Sequence, residues 1–288
     1  MAGNYDPARW QMWWYFNRDR YLQLGRFLAG LNTSSGGGAT SALPSQSQVE
    51  NQIMPALERI LRSGGKVEVM RGAMLSIAEI EAEYGPMGLG LDHYALHFLK
   101  NGAPENQESA LVALGIRGDA KSVELLRGIL LNDETGRAAM GGSVGVRNRA
   151  YAAYSMGLIG AKTKDEATRL RIVDTLLIAI GADYSTTRET QVACALSVGL
   201  VPLPFCGDDP ERLARHVEEG DLHLCGGVQL NYLLDVFQDP ELDVWLRSHT
   251  APAMGRLAAQ APNEYKQTVS EAFFAVLEPR RKVEREVI

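Results

Sequence analysis

Residues 146–160, VRNRAYAAYSMGLIG, place small and apolar side chains at helical spacing and close on two glycines three residues apart. A run of this kind predicts a helix with one thin face. The segment after it, KDEATRLRIVDTLLIAI (164–180), predicts a second, amphipathic helix. The same order recurs: SALVALGIRGD (109–119) precedes AKSVELLRGILL (120–131), where Val123, Leu126, Ile129 and Leu130 form an apolar stripe. ACALSVGLVP (193–202) precedes DDPERLARHVEEG (208–220). Each unit reads as helix, turn, helix.

The copies fall into register. Gly115, Gly157 and Gly199 stand at equal steps of about 42 residues, with Ala110, Ala152 and Cys194 ahead of them at matching places. A weaker copy, MRGAMLSIAEI (70–80), sets Arg71 like Arg149 and has Glu79 at the glycine position. Alanines such as Ala110, Ala113, Ala153 and Ala195 keep one face thin, so a neighbouring helix can approach closely. The glycine near each helix end predicts a left-handed terminal turn.

Outside these units the pattern changes. Residues 1–29 predict an aromatic helix, with Asp6 as cap, Pro7 in the first turn, and Trp10, Trp13 and Trp14 among its apolar residues. It suits a cap on an open end of the array, and its tryptophans are also candidates for partner contact. Residues 30–47 form a Gly/Ser-rich linker, residues 48–278 the repeat array, and residues 279–288 a charged C-terminal tail.

The arginine, the alanine-rich helix, the glycines of LGIRG and MGLIG, the turn and the apolar second helix together resemble the short bacterial HEAT repeat, also called the phycocyanobilin-lyase type. The resemblance is clear over residues 105–201. It implies an all-α, right-handed α-solenoid of about six helical pairs, and it specifies no activity, because function is grafted onto such scaffolds. One branch of the family consists of bilin lyases acting on a cysteine of a partner protein. Another HEAT-like enzyme, a di-iron hydroxylase, takes its ligands from His-Glu dipeptides, and none of the five histidines here is followed by glutamate.

Charge narrows the partner. A net charge of −6 disfavours a non-specific grip on nucleic acid, which needs a basic stripe. No run of about 18 apolar residues predicts a membrane span, and the first residues show no signal-peptide pattern. A cytoplasmic location is favoured, and an exported form remains open if a leader was removed. Cys194, Cys206 and Cys225 lack close spacing and read as buried thiols, with a single disulfide as the other option.

Candidate chemistry is sparse. His93 and His97 share a helix face at zinc-ligand spacing, but Tyr94 stands where a metalloprotease needs glutamate. His223, Cys225 and Cys206 are soft but widely spaced. GRAAMGGS (136–143) imitates a phosphate-binding loop with Gly142 at the lysine position, and it reads as a flexible inter-helix loop. Glu79 and Glu83 read as a solvated edge. No metal or cofactor is expected. The expected role is a non-enzymatic scaffold binding a protein partner through its second helices, with Arg127, Arg171 and Arg215 as exposed candidates. The alternatives are a bilin lyase-like protein and a self-associating structural component.

Overall fold

The computed structural model describes residues 44–80, 89–181, 186–205 and 224–277. The chain divides into two compact units, Met1–Pro55 and Ala56–Ile288. In the first, a short helix (Gln46–Gln48) runs into a π-helical turn (Val49–Ile53). Ser45 opens it with a reciprocal capping box: its side chain accepts from the Gln48 amide while the Gln48 side chain accepts from the Ser45 amide. Helix α1 (Met54–Ser63) leads onward into the second unit.

The second unit continues with α2 (Val67–Glu79), α3 (Leu91–Asn101), α4 (Pro104–Arg117), α5 (Val123–Leu131), α6 (Glu134–Met140), α7 (Val146–Lys162), α8 (Glu166–Ile180), α9 (Arg188–Val198), α10 (Gly226–Gln238), α11 (Val244–Ala258) and α12 (Asn263–Leu277). All regular structure among the described residues is helical. The packing has an order. Helices α2, α4, α7, α9 and α11 each pack on the next, forming a row of first helices. Helices α3, α5, α8 and α10 pack respectively on α4, α7, α9 and α11.

The recurring glycines sit where first helices cross. A methyl on Gly115 would lie 2.7 Å from Ser155 Cα, one on Gly157 2.9 Å from Ser197 Cβ, and one on Gly199 2.5 Å from Ala253 Cα. No side chain larger than hydrogen fits those gaps. The expected left-handed turn is not their role: Gly115 and Gly157 lie inside helices, and Gly199 caps α9 in the right-handed region with φ −66°. Of the helices α4, α7 and α9, only α4 ends on a left-handed glycine, Gly118, with φ 80°. The glycines serve close approach because interhelical contact, not helix termination, falls at their level.

A second repeated contact lies eight residues before each glycine. Gln107 donates to Leu99 O at 2.9 Å, Arg149 to Leu130 O at 2.7 Å, Gln191 to Ile180 O at 2.9 Å and Arg247 to Phe237 O at 3.2 Å. The acceptors are among the last carbonyls of α3, α5, α8 and α10, which have no partner within their own helix. Each first helix thus caps the second helix before it. The series reveals a further copy, Arg247 with Gly255, at a longer step.

The second helices supply the other half of the core. Val123, Leu126, Ile129 and Leu130 in α5, Val173, Leu176, Ala179 and Ile180 in α8, and Leu230, Leu233, Val236 and Phe237 in α10 share one spacing and are all at most 6% exposed. Side chains of this size contribute about 1.5–3 kcal/mol each when fully buried.

Two expectations are corrected. GRAAMGGS is not a loop throughout: α6 occupies Glu134–Met140, capped by the Asp133 side chain on the Gly136 amide. Gly136 lies against the Gly128 backbone of α5 so closely that a Cβ has no room, and this contact explains the glycine without any phosphate. Cys225 is disulfide-bonded, which overturns the reading of buried thiols for this residue. Sequence spacing failed here because a disulfide requires proximity in space, not along the chain. Cys194 is the free cysteine among the described residues, and its burial raises its thiol pKa well above 9.0.

Candidate functional site

The glycine crossings set the register of the first-helix row, and the register identifies a shared outer face. Val112 and Ile116 in α4, Tyr151, Tyr154 and Leu158 in α7, Leu196 in α9 and Leu200 just past its end stand in one register and are all half-buried. None of these side chains is charged. Tyr151 and Tyr154 meet edge-on, ring centroids 6.5 Å apart. Burial, then the neighbouring Tyr151 and Cys194, raises the Tyr154 phenol above its ordinary range. An apolar, aromatic band therefore crosses three successive helices.

The same register reaches α11 at Trp245, His249, Pro252 and Arg256. Trp245 is 50% exposed, which is high for the largest apolar side chain. Asp243 fixes the start of α11 by accepting from the Trp245 amide at 2.8 Å. His249 stacks on Trp245 at 5.8 Å with 12° between the planes, and its Nδ1 lies 2.7 Å from Trp245 O. Arg188, at the start of α9, holds its guanidinium 5.8 Å from the Trp245 ring centroid and 3.7 Å from Asp243. The tryptophan is thus pre-oriented by one cation and one imidazole. At the α7 end, Arg147 pairs with the buried Glu108 at 2.8 Å. Charge borders the band at its helix starts.

A separate polar cavity of about 190 Å³ is lined by Gly90, Leu91, Asp92, His93, Arg117, Asp119 and Lys121. Lys121 bridges Asp92 at 2.8 Å and Asp119 at 2.9 Å, and Arg117 donates to Ile80 O at 2.7 Å. Hydrogen bonds to Asp92 and Asp119 raise the Lys121 pKa, and Asp119 is held low despite the opposing effect of burial. The charges here neutralise one another, so the cavity presents no surplus for an ionic ligand.

Two of the three arginines singled out from sequence on second helices are engaged. Arg127 lies 3.4 Å from Asp133, and Arg171 lies 2.9 Å from Glu124, joining α8 to α5. Such exposed pairs contribute roughly 0–1 kcal/mol. Arg215, Trp10, Trp13 and Trp14 lie outside the described residues, as do His216, His223, Cys206 and Glu83. His93 and His97 are exposed on α3, each against its neighbouring ring, Tyr94 and Phe98. Among the described residues no group of three His, Cys, Asp or Glu side chains could hold a metal, and no helix is long and apolar enough to cross a membrane.

Sequence reasoning missed Trp245 and the outer band. Tyr151, Tyr154 and Leu158 stood in the quoted repeat, but apolar residues occur on both the inner and outer faces of that helix, so period alone did not separate them. No protein-family model matches the chain, and no curated protein matches it.

Proposed function

We propose that the chain is an α-solenoid of HEAT-like helical pairs, right-handed in its superhelix, acting as a non-enzymatic scaffold that docks a protein partner on the outer face of its first helices. The observation that carries this reading is the uncharged band of Val112, Tyr151, Tyr154, Leu158, Leu196 and Leu200, ending at the half-exposed Trp245. Its composition matches interface cores, where charge is depleted and aromatic residues are enriched inside a polar rim. Trp245 and Arg188 are of the residue types that dominate binding energy. The repeated capping by Gln107, Arg149, Gln191 and Arg247 supports the stacked architecture that makes such a band continuous. The Cys225 disulfide favours an oxidising compartment.

The test is affinity capture from native extract with wild type, Trp245→Ala and Tyr151→Ala, followed by identification of the retained protein. Wild type is expected to retain one protein stoichiometrically, with retention lost in both variants at unchanged circular dichroism. Equal retention by all three, or none by wild type, overturns the docking face.

A further inference from the structure

Cys225 stands at the N-cap of α10 and is 5% exposed. An N-cap residue ordinarily turns a side-chain acceptor back onto the first-turn amides, which have no partner within their own helix. Here the sulfur is engaged in a disulfide and makes no capping bond. No acidic side chain in the first turn of α10 answers the positive end of the helix either. The bond is also not what fastens this corner. The Gly226 amide donates to Pro204 O at 2.8 Å, and a methyl on Gly226 would lie 2.7 Å from Leu203 O. The fully buried Gln229 donates to Val198 O at 3.0 Å and Val201 O at 2.7 Å, and accepts from the Leu203 amide at 3.4 Å. The rings of Phe205 and Tyr265 meet with centroids 5.0 Å apart. Residues 198–205 are therefore held to α10 and α12 by contacts that need no sulfur.

We propose that the Cys225 disulfide is a redox-responsive bond, opened and closed by small thiols while the helical array stays folded. Attack falls on the sulfur bonded to Cys225, because Cys225 itself is buried. The incoming thiolate forms a mixed disulfide with that sulfur, and the Cys225 sulfur leaves with the bonding electron pair as a thiolate. It leaves at the start of α10, where uncapped amides and the positive helix end stabilise a negative charge. A second small thiol displaces the first, so one protein disulfide becomes two thiols as two small thiols become one disulfide. The closed bond carries no charge and gains nothing from the helix end. A disulfide whose reduced form is favoured in this way is a labile one. An oxidising compartment keeps it closed, and a shift towards reducing conditions opens it. Cys194 gives the contrast: it lies inside α9, away from any helix start, and burial holds its thiol protonated beyond the ordinary range.

The experiment equilibrates the full chain with a series of glutathione redox buffers, starting from both oxidised and reduced protein. Alkylation and mass spectrometry read the reduced fraction at Cys225. Wild type is expected to titrate within the series, with the circular dichroism of the reduced protein unchanged. Val228, the third residue of α10, is 42% exposed, so a charge placed there disturbs no packing. Val228→Lys should raise the equilibrium constant for reduction about threefold and Val228→Glu should lower it by about as much. A bond that stays closed in every buffer, a reduced protein that loses its helical signal, or coincident titrations of wild type and both variants overturns the proposal.

Discussion

Gly199 and Gly255 occupy the same register in successive first helices and live in opposite surroundings. Above Gly199 the α11 backbone passes so closely that a methyl would sit 2.5 Å from Ala253 Cα, whereas above Gly255 there is open space. The residue type is therefore a property of the repeat, and its energetic weight is a property of the neighbour. Where a helix crosses, the absent side chain sets the interhelical distance; where none crosses, the glycine only loosens its own helix.

The largest effect that would break this contrast is Gly199→Ala. Its methyl meets backbone that cannot rotate away, so a loss of about 3 kcal/mol is expected in chemical denaturation, at the top of the usual overpacking range. A loss under about 0.5 kcal/mol would mean that the row is loosely packed. Next comes Arg149→Ala, which removes the 2.7 Å bond to Leu130 O and strands a buried carbonyl. About 2 kcal/mol of destabilisation is expected by the same measurement, and no change would show that water replaces the guanidinium.

A smaller effect of opposite sign belongs to Gly255→Ala. With room for the methyl, better helix propensity should raise stability by up to about 1 kcal/mol in the same denaturation measurement. A destabilisation there would place a neighbour over Gly255. The smallest effect is pH-dependent. Burial raises the Cys194 thiol pKa above its ordinary 9.0, so the folded protein keeps a proton that the unfolded chain releases. This contribution is fully present below pH 9 and is lost as pH rises through the folded value. The melting temperature should therefore fall above pH 9, and Cys194→Ala should flatten that slope; an equal slope in both proteins would assign it elsewhere. Tyr94, Tyr154 and Tyr232, also raised by burial, add to the decline only above pH 10.

Helix pairs and the glycine register could be read from residues 109–201 because small residues at fixed steps have few other uses. What the glycines do could not be read, since a glycine near a helix end fits a left-handed turn as well as a close crossing. The contacts of Gln107, Arg149, Gln191 and Arg247 were hidden by chemistry: glutamine and arginine look unlike, yet both bring a long N–H donor to a carbonyl. A search for either residue eight positions before each glycine would have found them, and with them the copy at Gly255. The aromatic band escaped for a different reason. A helix packed on three sides is apolar nearly all round, so only the packing shows which apolar residues remain outside.

Because α3, α5, α8 and α10 each have their end sealed by a side chain from the following first helix, the natural seams of this protein do not coincide with its turns. A chain trimmed just before Val244 would leave the Phe237 carbonyl without Arg247 and should fray backward through α10, and one trimmed before Val146 would do the same to α5. Shortened versions meant to stay folded should stop beyond a donor, and proteases should find their first footholds in the helix whose donor has been taken away.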